Sequence, residues 1–234
     1  MRAFQVYAVM LLFSSICDGH DCLDLLPYDT IIADHSKWTS DNYKKRLVEF
    51  KFSPIAAGDV VFIGDSHIQV MGDWNQKLEV TNAKNRGIGG DITEGVMVRL
   101  EEVICSGPSK IYLLIGTNDI LWTDKTDKEL ADGIQAIVKQ LREGLPETEL
   151  VLHTIMPINK TWSKKSVDHA AINAKITKVN NRLETIDDPH VQLIKLNDIV
   201  SDSEGFLKAQ YTRDGVHLND VGRKVWIKAI KESL

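Results

Sequence analysis

Two short runs, Val60-Val61-Phe62-Ile63 and Ile111-Tyr112-Leu113-Leu114-Ile115, are apolar without a break, and each stops at a glycine. A strand with no polar side must be covered on both faces, which is the condition of strands in parallel α/β sheets. Leu150 to Ile155 and Val191 to Ile194 read as further strands, with Glu79-Val80-Thr81-Asn82 as a short one after the first. Helical spacing fills the intervals. Helices are predicted over 39–50, 66–78 and 167–186, the last with Ala171, Ala174, Val179 and Leu183 inward. Asp91 and Glu94 give an acidic start to a helix whose apolar face is Val96, Met97, Leu100, Val103 and Ile104. Thr126 and Glu129 fit a capping box ahead of Leu130, Ile134, Ile137, Val138 and Leu141. Val221, Val225, Ala229 and Ile230 mark a last helix. Strands alternating with helices predict a doubly wound, three-layer α/β/α sandwich around a five-stranded, mainly parallel sheet, flavodoxin-like in its layering.

With 234 residues and no internal repeat, low-complexity tract or linker, one domain over 20–234 is expected. The 43% hydrophobic and 26% charged composition is that of a soluble globular chain. A net charge of −5 gives no basic face for a nucleic acid. Met1-Arg2, the apolar stretch Ala3 to Phe13 and small residues around Cys17 and Gly19 read as a signal peptide over 1–19, with a buried N-terminal helix as the alternative. The protein is therefore expected to be secreted or periplasmic. The run is short for a membrane span and no second one follows, so no integral membrane association is expected after cleavage. Cleavage would leave Cys22 and Cys105, which could pair in an oxidising compartment; Cys105 reads rather as an unpaired thiol at a helix end. Asn159-Lys160-Thr161 is the single glycosylation sequon.

Polar or glycine signals stand where four loops would leave the carboxyl edge of the sheet, the edge at which such folds bind ligands. They are Ser66, the run Gly87-Ile88-Gly89-Gly90, Gly116-Thr117-Asn118, and Asp214-Gly215-Val216-His217. A serine hydroxyl needs an adjacent base, for which the imidazole of His217 is suited, and Asp214 three residues earlier can fix its tautomer. The backbone N–H groups of Ser66 and Gly90 and the amide of Asn118 could receive an oxyanion. Each piece has a plainer reading: Ser66 or Asp65 as a helix cap, Asp214-Gly215 and Asn118 as turn residues, Gly87 to Gly90 as a loop. A dinucleotide loop fails, because the third glycine of its pattern would fall at Ile92. A flavodoxin-like nucleotide binder would need a phosphate loop where Gly64 to His67 stands.

These blocks resemble those of the SGNH hydrolases, or GDSL-type esterases and lipases: Gly64-Asp65-Ser66, Gly90, Gly116-Thr117-Asn118-Asp119 and Asp214-Gly215-Val216-His217. Asn85 to Thr93, continuing to Arg99-Leu100, is similar to the branch that holds the platelet-activating-factor acetylhydrolase catalytic subunits and many bacterial esterases. The resemblance implies catalytic Ser66, Asp214 and His217, an oxyanion hole of Ser66, Gly90 and Asn118, and no cofactor or metal. His67 stands where the name-giving motif usually has leucine, and it is not expected to be the base. The implied activity is hydrolysis of a short acyl ester, acetyl above all, of a carbohydrate or small lipid. Lysophospholipase or thioesterase activity and a non-catalytic glycan- or protein-binding domain are the rivals. Trp122, Pro157 and Trp162 are expected to shape the substrate pockets.

Overall fold

Five strands, β1 (Val60–Gly64), β2 (Ala83–Gly87), β3 (Lys110–Leu114), β4 (Glu149–His153) and β5 (Val191–Ile194), form one sheet in the order β2-β1-β3-β4-β5. Every neighbouring pair is parallel, with Val60 opposite Ala83 and Lys110 in register. This is a computed structural model that describes residues 22–162 and 167–234; the expected signal segment 1–19 lies outside the described residues. The helices are α1 (Lys37–Phe50), α2 (Ser66–Gln69), α3 (Trp74–Leu78), α4 (Thr93–Met97), α5 (Leu100–Ser106), α6 (Thr117–Trp122), α7 (Asp127–Gly144), α8 (His169–Leu183), α9 (Leu196–Val200) and α10 (Asp220–Lys231).

Alternation along the buried strands divides the core into two layers. Val61, Ile63, Ile111, Leu113, Leu150 and Leu152 face α4, α5, α7 and α8, while Val60, Phe62, Tyr112, Leu114 and Val151 face the α3 and α10 side. There Phe62 stacks on Trp74 at 3.9 Å, and Trp74 meets Trp226 edge-on at 5.6 Å. A third cluster joins Leu23, Leu26 and Ile32 to Tyr43, Leu47 and Phe50 of α1 and to Ile88 and Ile92 beyond β2. The three-layer sandwich is as expected, and the capping box of Thr126 and Glu129 forms at the start of α7.

Several local expectations are corrected. The second strand is Ala83–Gly87 rather than 79–82, because its polar residues are satisfied inside: Arg86 is paired with Glu102 at 2.7 Å, and Asn85 donates to the Gly72 carbonyl at 2.9 Å. The predicted 66–78 helix is two helices, broken at Gly72 and restarted by Asp73, whose carboxylate caps Asn75 N–H. The predicted helix after Asp91 is likewise split into α4 and α5, and Asp91 does not cap it. In α8 Ala171 and Ala174 are exposed, while Asn173 and Asn180 turn inward and hold the backbone of Ile158 and Ile155. In α10 Val221 is exposed and Trp226 is buried. Cys105 is not a free thiol: it forms a disulfide with Cys22, S–S 2.03 Å. The sequon asparagine is 5% exposed; Asn159 donates to the Leu207 carbonyl and accepts from Thr161 N–H at 2.9 Å, so its amide is committed within the loop.

Candidate active site

The sheet order places the topological switch point between β1 and β3, where a crevice opens at the carboxyl ends of the strands. At Gly64 a Cβ would lie 1.9 Å from the Leu114 carbonyl oxygen, so only glycine lets β1 leave the sheet here. Asp65 then caps α2, its Oδ1 accepting from His67 N–H at 2.9 Å, and Ser66 becomes the first residue of that helix. Asp65 is fully buried. Desolvation pushes its carboxyl up to about 8 against the hydrogen bond from His67 N–H, and the nearby Asp91 and Asp119 push the same way.

Ser66 Oγ lies 2.8 Å from His217 Nε2, and His217 Nδ1 lies 2.7 Å from Asp214 Oδ2. The turn that carries both partners is fixed twice: Gly215 N–H donates to Thr212 Oγ1 at 2.9 Å, and the Gly215 carbonyl accepts from Asn159 N–H at 2.7 Å. Asp214 Oδ1 accepts from the N–H groups of Val216 and His217 at 2.9 and 2.8 Å. Partial burial pushes the Asp214 carboxyl up, but the His217 ring and these two N–H groups outweigh it and bring it down to about 2. Asp214 is therefore ionised at neutral pH and fixes the proton of His217 on Nδ1, leaving Nε2 as acceptor toward the serine. His67 lies 5.2 Å from His217 between ring centroids; burial, with the neighbouring His217 second, pulls it down to about 3.

Gly90 and Asn118 join Ser66 and His217 in lining one cavity of about 570 Å³. The amide of Asn118 donates one N–H to the Asp91 carbonyl at 2.9 Å. Asp91 is fully buried and receives Arg99 at 2.9 and 3.2 Å; Arg99 also donates to the carbonyls of Gly64 at 3.0 Å and Arg86 at 2.7 Å. One guanidinium thus ties the ends of β1 and β2 to the loop that carries Gly90. Asp119 is held in turn by Thr93 Oγ1 and Lys125, each at 2.6 Å. Among the described residues no cluster of histidine, cysteine or carboxylate side chains suits a metal.

The sequence model of the GDSL-like lipase/acylhydrolase family matches residues 62–225. The chain belongs to that family. Subunit alpha2 of platelet-activating factor acetylhydrolase IB from Rattus norvegicus is 28% identical over 179 residues, spanning 74% of this chain and 75% of that protein. Among solved structures, a Streptococcus pneumonia protein described as a platelet activating factor superposes with a TM-score of 0.72 at 28% identity, covering 84% of this chain and 94% of that one. A GDSL-like lipase from Bacteroides thetaiotaomicron shares the fold, with a TM-score of 0.67 at 20% identity over 82% of this chain and 96% of that one. This GDSL acylhydrolase is accordingly an ester hydrolase of the SGNH type, as the four sequence blocks implied.

The pocket of this GDSL acylhydrolase differs in its walls from the expectation. Trp122 lines it; Trp162 meets Trp122 edge-on at 6.2 Å without lining the cavity itself, and Pro157 faces a different cavity. Asp34, His35, Ser36, Trp38 and Thr39 supply another wall. The sequence carries no signal for these residues, since a polar leader ahead of a helix has no periodicity that says which cavity it reaches.

Proposed function

We propose that the protein is a serine esterase that removes a short acyl group, acetyl above all, from an alcohol of a carbohydrate or small lipid. The observation that carries this reading is the chain of bonds from Ser66 to His217 to Asp214 at the mouth of a cavity also lined by Gly90 and Asn118. Ser66 Oγ attacks the ester carbonyl while His217 Nε2 takes its proton. The oxyanion that forms is received by the N–H groups of Ser66 and Gly90 and the amide of Asn118, where fixed dipoles meet charge as it develops. Collapse expels the alcohol, protonated by His217, and leaves an acyl-enzyme. Water attacks this ester with His217 again as base, releasing the acid and restoring Ser66. Asp214 stays ionised throughout and orients the ring.

The acyl reading is supported by the name of the rat relative, which specifies an acetyl group. The alcohol reading is supported by Trp38 and Trp122, 65% and 56% exposed, whose flat apolar faces suit sugar rings and lipid groups alike. We also propose export directed by residues 1–19, which the Cys22–Cys105 disulfide supports, since such bonds persist in oxidising compartments. The test is hydrolysis of p-nitrophenyl acetate, butyrate and octanoate by protein starting near His20. Rates falling with chain length support deacylation of short esters. A preference for octanoate would replace that reading with a lipase or thioesterase, and folded protein inert on all three would leave a binding domain.

A further inference from the structure

The family match begins at Phe62, yet the loop beside Ser66 is gripped largely from upstream of it. Gly89 is held through both backbone groups. Its N–H donates to Gln69 Oε1 at 2.5 Å and its carbonyl accepts from Asn42 Nδ2 at 3.0 Å, the same amide reaching Gln69 Oε1 at 3.2 Å. Arg46 Nε donates to the Gly87 carbonyl at 3.0 Å. At Gly90, with φ of +83°, the space a Cβ would occupy is closed by Thr39 at 2.7 Å and the Trp38 ring at 3.2 Å. His35 Nε2 lies 3.2 Å from Asp91 Oδ1, against the carboxylate that Arg99 holds. The segment that delivers these groups is fastened at its start by Cys22–Cys105 and along its length by Leu23, Leu26 and Ile32 packed against Ile88 and Ile92.

A glycine loop has no side chains with which to fix itself, and oxyanion donors help only where they are already aimed. We propose that residues 22–50 are the mould that sets the Gly89–Asp91 loop in its working geometry, with His35 and Asn42 as positioning residues for ester hydrolysis. The inference rests on the reading of Gly90 and Asn118 as oxyanion donors. It assigns to the substrate wall a second task, since the residues that shape the pocket also aim the groups that act in it.

The test compares wild type, Asn118→Ala, His35→Ala, His35→Gln and Asn42→Ala on p-nitrophenyl acetate, with rates expressed per active site titrated by a fluorophosphonate. We expect His35→Ala and Asn42→Ala to lose about 10- to 100-fold in kcat per titrated site, with KM within about twofold of wild type. His35→Gln, which keeps a polar side chain of similar reach against Asp91, should recover part of the loss. A purely structural role would instead reduce the number of titrated sites and leave the rate of each unchanged. That result for both alanine variants, beside a crippled Asn118→Ala, overturns the inference; an unaffected Asn118→Ala overturns the oxyanion reading beneath it.

Discussion

His217 and Asp214 lie three residues apart on a surface turn, with side chains 39% and 56% exposed; Asp91, Arg99 and His35, around the loop that carries Gly90, come from separate segments and their side chains are at most 2% exposed. The first arrangement is wired locally and in contact with water, so its charges are screened and add little to stability. The second is wired across the fold, and the charges of Asp91 and Arg99 survive burial because they are paired with each other. An ion pair of that kind is expensive to break and says little about stability while intact. Proton transfer needs a group that can change charge cheaply, whereas an oxyanion site needs dipoles that do not move. In the proposed mechanism the two halves divide those demands between them.

The comparison is broken most severely at the exposed half. We expect Ser66→Ala and Asp214→Asn each to lose at least about 10³-fold in kcat while the melting temperature stays within about 2 °C of wild type. Thermal unfolding beside steady-state kinetics checks both, and a large fall in melting temperature would show the exposed half to be structural after all. Arg99→Met should do the reverse of this. It strands the buried Asp91 carboxylate and frees the carbonyls of Gly64 and Arg86, at a cost of about 3–5 kcal/mol. A denaturant midpoint unchanged from wild type would show that the buried half is not held by this ion pair.

The same division separates what could be read from the sequence. Asp214 and His217 stand three apart with a glycine between them, so spacing alone suggests that they meet, and the apolar runs that became β1 and β3 announce a sheet covered on both faces. Arg86 and Arg99 gave no such sign. An arginine in a sequence reads as a solvated charge, and only the fold shows each to be 1% exposed and paired with an acid. That is also why the sequence pattern points to 79–82 for the second strand: the polar residues of β2 hide a strand whose side chains are satisfied by α5 and by the end of α2. Cys105 reads as a free thiol for a related reason, because its pairing depends on the distance between Cys22 and α5 in space, across 83 residues of chain.

Asn118 joins the halves and sharpens the contrast between them. It presents an amide to the cavity while its own N–H is committed to the Asp91 carbonyl at 2.9 Å. Asn118→Ala should lower kcat by about 10²- to 10³-fold. With stability reduced by about 1–3 kcal/mol for the carbonyl left unpaired, this variant falls between the two classes. Full activity in the variant would remove Asn118 from the oxyanion hole, and unchanged stability would remove it from the network around Asp91.

A last comparison separates the halves by pH. Asp65 has its carboxyl raised from 3.8 to about 8 by burial, so between those values the native protein holds a proton that the unfolded chain releases. This contribution of Asp65 therefore falls as pH rises from about 4 to about 8 and levels off above that, while the buried His67 and His153, lowered to about 3 and about 4, work in the opposite sense up to about 6.5 in wild type and variant alike. Asp214, lowered to about 2, works in the opposite sense and in a different window: its contribution is complete above about 4 and is lost only as pH falls toward 2. Asp65→Asn keeps a side chain able to cap α2 and removes the buried acid. Between pH 5 and 9 the melting temperature of wild type should then lose about 10 °C relative to that of Asp65→Asn, at about 1.4 kcal/mol per pH unit up to about 8. Asp214→Asn should follow the wild-type curve across that range. If the wild-type and Asp65→Asn curves run parallel, Asp65 is ionised in the folded state, and the buried half tolerates a carboxylate that no described side chain neutralises.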